Sequence, residues 1–313
     1  MADPERIAEA CTNCGATLVG SFCHACGQKR FVESDRRLGH LARLFAGSLT
    51  DLDGRIWRTI RALLFQPGLL AREYFEGRRA HWLSPVSVFL AVSVVYFVAP
   101  IRGGDLTLLF DQQVSGEIRQ RATRADESPT QRDLESTGQA HTPFTTAWIE
   151  RRVRERDAAA RAASNGASGY GYGDYRAAYD AKANDVSKAL VVLHVPLAAL
   201  ALMVLFARQR RYFAEHFVFT LYYFAFWMIA LQFVSQLHNL LQLLPEPSQP
   251  PQAVYDWFMR VVLPGYAMLA LRRAYSVGCI AAIGAAVAWI AVIVAVNLYV
   301  YHTVQFLVTF ALT

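Results

Sequence analysis

Charge is scarce in this chain. Only 18% of its 313 residues are Asp, Glu, Lys or Arg, against about 25% in soluble domains. Meanwhile 54% are hydrophobic and the mean hydropathy is +0.22. That balance excludes an ordinary soluble enzyme of this size. No secretory leader is visible either. Residues 1–30 hold no apolar run followed by small residues, so the N-terminus is expected to be mature as written. The sequence contains no nucleophile elbow, P-loop, Rossmann glycine pattern or His-Glu-x-x-His. The expectation is therefore a protein that is not an enzyme.

Cysteine is rare too, but its placement is informative. Four of the five cysteines fall between Cys11 and Cys26, as two Cys-x-x-Cys-Gly pairs. In a zinc knuckle the second cysteine sits in a tight turn whose N–H groups point at the thiolates. The residue that follows needs positive φ, which glycine supplies without steric cost. Cys11, Cys14, Cys23 and Cys26 can close a tetrahedral shell around a structural Zn2+. The residues between the pairs, "GATLVGSF", suffice for two short strands and a turn. A four-cysteine iron–sulfur cluster and two disulfides stay open as weaker alternatives. His24, inside the second pair, reads as a bystander. Cys279, far away, reads as a small core residue. A ribbon over residues 1–31 is too small for an apolar core, so metal must supply its folding energy. "QKR" and Arg36-Arg37 are basic, but Glu33 and Asp35 interrupt them. No aromatic-basic platform stands out, which speaks against nucleic acid as a partner.

Long hydrophobic runs dominate the rest. A bilayer crossing takes about 20 apolar residues, and five stretches are candidates: 82–101, 188–206, 217–241, 253–271 and 276–306. The 253–271 stretch is the least apolar, because it holds Asp256, Arg260 and Pro264. Asp256 and Arg260 are four apart, share a helix face and can pair. Arginines cluster at 78–79, 208–211 and 272–273, whereas "PEPSQPPQ" and the C-terminal tail have none. By the positive-inside rule the N-terminus is expected in the cytoplasm and the C-terminus outside it. Residues 102–187 then form one external, partly flexible segment. Within it "TTAWIERRVRERDAAARAA" reads as a helix with a thin apolar face of Trp148, Ile149 and Val153. "SNGASGYGYGDYRAAYDAKAND" reads as a flexible lead or a tyrosine-studded surface.

Residues 35–81 are expected to form amphipathic juxtamembrane helices. Leu38, Leu41, Leu44, Phe45 and Leu49 recur at helical spacing, as do Ile56, Ile60, Leu63 and Leu64 with Trp57 beside them. Arg55, Arg58 and Arg61 fall outside the second stripe. Such helices can lie in a membrane interface or pack on the ends of spans. Pro67-Gly68 should break the pattern, and Gly77 should end a third helix as its C-cap. The doubled Cys-x-x-Cys-Gly motif followed by Phe65, Pro67, Gly68, Glu73, Tyr74, Gly77, Arg79, Ser84, Pro85 and Phe89 resembles a bacterial membrane-protein family of unknown function. Its members join an N-terminal zinc ribbon to this signature and several spans. The resemblance implies zinc and a membrane location, and no activity.

The fold class expected is an all-α polytopic membrane protein with about five transmembrane helices, a four-cysteine ribbon and juxtamembrane amphipathic helices. Several polar residues should sit at similar depth toward the outer leaflet: His194, His238 with Asn239, Asp256, Asn297 and His302. Intramembrane ionisable groups are candidates for function. Three functions are open. The first is a non-catalytic adaptor or assembly factor whose cytoplasmic ribbon docks a protein partner. The second is a transporter or channel subunit, which would need a homo-oligomeric pore because no inverted repeat is visible. The third is a metal-dependent lipid-modifying enzyme built on the His/Asp set. All three place the chain among membrane lipids.

Overall fold

The computed structural model describes residues 10–30, 54–98, 113–122, 139–167, 169–241 and 252–313, apart from some side chains within them. The expected helix over Leu38–Leu49 lies outside these. The helices are α1 (Arg55–Phe65), α2 (Leu69–Phe75), α3 (Pro85–Val98), α4 (Gly116–Ala122), α5 (Thr142–Ala163) and α6 (Tyr172–Leu190). They continue with α7 (His194–Leu205), α8 (Phe213–Leu241), α9 (Gln252–Tyr275), α10 (Cys279–Ala295) and α11 (His302–Leu312). The chain divides into two compact units, residues 1–104 with 195–291 and residues 105–194 with 292–313.

In the first unit α8 packs along α3, and α2 is seated against α1, α8 and α9. Residues Leu221 to Phe226 of α8 are all buried, as a helix apolar on every side requires. Aromatic rings fill this core. Tyr275 stacks on Phe206 at 4.1 Å, meets Phe219 edge-on and hydrogen-bonds His216 Nδ1 at 2.7 Å. Trp289 donates its indole N–H to Ala198 O at 2.8 Å and packs on Tyr223. These polar tips find partners, which is why tyrosine and tryptophan are tolerated at such depth.

The breaks at both ends of α2 follow from glycine. Gly68 has φ +74°, and a Cβ there would lie 2.3 Å from Ala270 O on α9. Only glycine admits both the turn and the close approach. At the other end of α2, Gly77 has φ +79°. Its N–H reaches Tyr74 O, while Arg78 N–H reaches Glu73 O at 2.8 Å. Those two bonds form a Schellman cap. On α1 the buried residues are Thr59, Ala62 and Leu63, whereas Ile56, Ile60 and Leu64 are only half-buried and Trp57 and Phe65 are exposed. The face turned inward is therefore rotated toward small residues. Two contacts set it: Thr59 Oγ1 accepts the Leu83 N–H at 3.1 Å, and Tyr266 O–H donates to Leu63 O at 2.6 Å.

The second unit has its own core. Val114, Ile118, Ile149, Val153, Tyr175, Tyr179 and Phe306 are all buried in one cluster. The tyrosine-rich stretch is thus no flexible lead from Tyr172 onward. It forms α6 and supplies fully buried Tyr175 and Tyr179. Ile149 and Val153 are the inward face of α5 as expected, but Trp148 stays exposed. The C-terminal end of the last apolar run, α11, contributes Phe306 to this core.

Among the described residues two helical runs, Phe213–Leu237 and Cys279–Leu312, are long and apolar enough to cross a membrane, and a third counts if α6 and α7 form one broken span. The second run reaches Leu312 through a π-helical stretch, Val296–Tyr301, and at 34 residues it is ~50 Å long. α3 is apolar but shorter, at 14 residues. α9 is not among the long apolar runs; Pro264 lies within it and Arg272 and Arg273 in its last turn. Cys279 is exposed rather than a core residue, because it stands at the start of α10 beside the 87% exposed Ile280.

Candidate metal centre

The ribbon consists of one turn written twice. Cys11 N–H donates to Ala16 O and Gly15 N–H to Cys11 O; twelve residues on, Cys23 N–H donates to Gln28 O and Gly27 N–H to Cys23 O, all at 2.8–2.9 Å. Single antiparallel bridges flank each turn, Ala10 with Thr17 and Phe22 with Lys29. These isolated bridges replace the two short strands expected between the pairs. Gly15 and Gly27 have φ +77° and +71° with open space where a Cβ would stand. Backbone conformation, not crowding, therefore makes them glycine.

The two turns bring four sulfurs together. Cys14 Sγ lies 3.5 Å from Cys23 Sγ, and Cys11 Sγ 3.7 Å from Cys26 Sγ. All four ligand atoms are within 4.8 Å of one another. A tetrahedron with metal–sulfur bonds of 2.3 Å has edges of ~3.8 Å, so the set fits a single tetrahedral ion. Cys11 and Cys23 are buried, at 4% and 2% exposure. The backbone N–H of Cys26, helped by that of Ala25, brings the Cys23 thiol down to about 6. Four thiolates this close would repel one another, and a cation at their centre removes the conflict. A metal held here supplies folding energy to the ribbon, and the closed shell leaves no open coordination position. His24 is exposed and outside the cluster.

The four-cysteine ribbon is latched to the turn after α2 by one residue that carries no mark in the sequence. Gln28, 8% exposed, donates Nε2 to Thr12 Oγ1 at 2.9 Å and to Gly77 O at 2.5 Å. Its Oε1 accepts the N–H groups of Arg79 at 3.0 Å and Ala80 at 3.1 Å. Two donors and two acceptor lone pairs are all that a glutamine amide has. Thr12 adds a hydroxyl bond to Gly77 O, and Asn13 meets His81. The Schellman cap leaves the Gly77 carbonyl pointing outward to accept these bonds. The residues after it are held in turn: Arg78 forks onto Glu73 and pairs with Glu76, and Arg79 lies 3.7 Å over the Tyr74 ring. The signature residues Glu73, Tyr74, Gly77 and Arg79 thus shape the ribbon's seat. Pro67 and Gly68 place α2 beneath it, and Pro85 opens α3.

The polar residues expected at the outer leaflet are brought together only in part. Asn297 Nδ2 lies 3.3 Å from His194 Nε2, and the His194 ring packs on Tyr301. His302 Nδ1 reaches Gln139 Oε1 at 3.2 Å. A histidine outside the expected set, His141, is buried in the same unit. It hydrogen-bonds Gln113 and Thr145 and stacks on Phe306. Burial, with the neighbouring His302 second, lowers it to about 4. Its signal in the sequence is weak, because it precedes α5 in a polar stretch. The side chains of His238, Asn239 and Asp256 lie outside the described residues, so the Asp256–Arg260 pair does too; Arg260 is exposed. Among the described residues, the four cysteines are the group of three or more His, Cys, Asp or Glu side chains close enough to share a metal.

No curated protein and no solved structure matches the chain. Residues 53–97 match the model of a family described as a protein of unknown function, DUF3667. That stretch holds α1, α2, the ribbon's seat and most of α3, so the matched segment is the one that Gln28 grips. With its four-cysteine cluster and membrane-length helices, the chain is similar to that uncharacterised family.

Proposed function

We propose that this chain is a zinc-binding, non-catalytic integral protein of a bacterial inner membrane. It acts as an adaptor or assembly factor whose cytoplasmic ribbon docks a protein partner. The observation that carries the reading is the latch: a closed four-cysteine shell joined through Gln28 to the turn that precedes α3. Zinc here gives shape to a head held against a membrane-proximal platform. Val19, 87% exposed, and Phe22, 63% exposed, offer that head an apolar tip of the kind partners cover. The arginines at 78–79, 208–211 and 272–273 support a cytoplasmic N-terminus, an extracytoplasmic C-terminus and five spans, α9 included.

The test pairs proximity labelling in cells with metal analysis of purified protein. The intact chain should carry one zinc, and Cys11→Ser/Cys14→Ser should lose both the zinc and its labelled partners. An unchanged partner set in a variant that is still folded and inserted rules the adaptor out. Iron in place of zinc rules out the structural metal proposed. A second metal that survives replacement of all four ribbon cysteines would favour the lipid-modifying enzyme, and flux through reconstituted oligomers the transporter.

A further inference from the structure

A cavity of about 500 Å3 opens between the ribbon and the turn that follows α2. Its walls come from segments far apart in sequence. Cys26 to Lys29 form one side, Gly77 to Pro85 the other, and Arg55 of α1 reaches in. Four of the lining residues are permanent cations, Lys29, Arg55, Arg78 and Arg79, and His81 adds a titratable one. Among the described residues the lining contains no aspartate or glutamate. Glu73 and Glu76, on α2 and at its end, are engaged by Arg78. Phe22, Trp82, Leu83, Pro85 and Tyr222 add apolar and amphipathic surface, beside the polar Gln28 and Ser84. Pro85 is also the first residue of apolar α3.

We infer that this cavity binds the phosphate head group of an anionic phospholipid from the leaflet facing the ribbon. The inference rests on the membrane location proposed above and goes beyond it by naming a ligand. A lining that combines cations with apolar side chains suits a molecule that carries both a phosphate and acyl chains. Arg79 lies flat on Tyr74 and Arg78 is held by its carboxylates, so their guanidinium groups are placed before a ligand arrives. Trp82 is of the type that settles at head-group depth. Because one wall is the metal turn itself, the cavity exists in this form only when the ribbon is folded. Lipid binding is therefore linked to metal binding.

The experiment uses the full chain, zinc-loaded, in neutral detergent, titrated with phosphatidylglycerol and with phosphatidylcholine and read by native mass spectrometry. Phosphatidylglycerol should bind at one site, and phosphatidylcholine much more weakly. Each basic residue near anionic lipid contributes ~1 kcal/mol, so Lys29→Gln/Arg55→Gln should weaken binding about thirtyfold. The control Arg58→Gln/Arg61→Gln removes the same charge from exposed positions of α1 that do not line the cavity, and should leave binding unchanged. Zinc removal should abolish the site, and returning zinc should restore it.

Equal losses in the two double variants would show a general surface field and overturn the inference. So would equal binding of both lipids, or anionic-lipid binding that persists without zinc. Displacement of the lipid by millimolar inorganic phosphate alone would assign the site to a soluble anion, and displacement by an acidic peptide but not by lipid would assign it to protein; either overturns the lipid. Whether the chain leaves cell membranes only with detergent is scored separately. The membrane reading can stand while the lipid site fails.

Discussion

Gln28 offers a direct way to separate the metal centre from its attachment. Gln28→Ala removes both donors and both acceptor pairs of the amide. It strands the N–H groups of Arg79 and Ala80, and leaves Gly77 O with only the 3.3 Å Thr12 hydroxyl bond. Each buried hydrogen bond contributes ~1 kcal/mol net, and a stranded group costs more. Water from the adjoining cavity can repair part of that loss, so docking should weaken by ~3 kcal/mol, about a hundredfold in the docked population. Gln28→Glu tests the donors alone. It keeps an acceptor for Arg79 and Ala80 but turns an oxygen toward Gly77 O, and docking should weaken here too. The assay is hydrogen–deuterium exchange on zinc-loaded protein in detergent. The Arg79 and Ala80 amides should exchange faster in both variants. The amides inside the metal turns, Gly15 and Gly27 among them, should stay protected, with zinc content unchanged. Unaltered exchange at Arg79 and Ala80 would refute the latch. Loss of zinc from Gln28→Ala would show that Gln28 belongs to the metal turn instead.

Other substitutions probe separate features. Gly68→Ala drives a Cβ into the backbone of α9 at Ala270 and should cost several kcal/mol, whereas Gly15→Ala meets no atom and should cost ~1 kcal/mol for its positive φ; thermal unfolding in detergent should rank them so, and equal losses would refute the close-approach argument. Tyr179→Ala empties a fully buried site in the second unit and should cost ~3–5 kcal/mol, with exchange rising across α5 and α6. His141 is lowered to about 4 when folded and sits near 6.5 when unfolded. The unfolded chain then binds the extra proton, so the second unit should lose stability as pH falls from 6.5 toward 4, by up to ~3 kcal/mol. His141→Gln should flatten that stretch of the pH profile.

What the sequence reveals and conceals here divides along physical lines. The cysteine set, the break at Pro67-Gly68 and the Gly77 cap are legible because local backbone chemistry demands particular residues at fixed spacing. Gln28 carries no such mark. Its partners lie some fifty positions on, and a lone glutamine beside a metal turn has no periodicity to betray it. The second unit hides for a related reason. A run rich in glycine and tyrosine scores as linker by composition, yet Tyr175 and Tyr179 become core once α11 is folded against them. On α1 the apolar stripe points near the right direction, but Thr59 and Ala62 win the buried face. Hydrogen bonds from Leu83 and Tyr266 anchor it there, and neither is visible from residue type.

The duplicated turn bears on which face of the ribbon docks. Rotating the ribbon half a revolution about its metal exchanges Cys11 with Cys23 and Cys14 with Cys26 and leaves the inner shell alike. The outer position is not alike, since Ala16 occupies the place that Gln28 holds in the second turn. A near-twofold object is thereby keyed by Gln28 with Thr12 and Asn13, whose counterparts in the second turn are His24 and Ala25, and its two faces become inequivalent. Exchanging only Ala16→Gln with Gln28→Ala would therefore not turn the head over, because Thr12 and Asn13 still favour the native face.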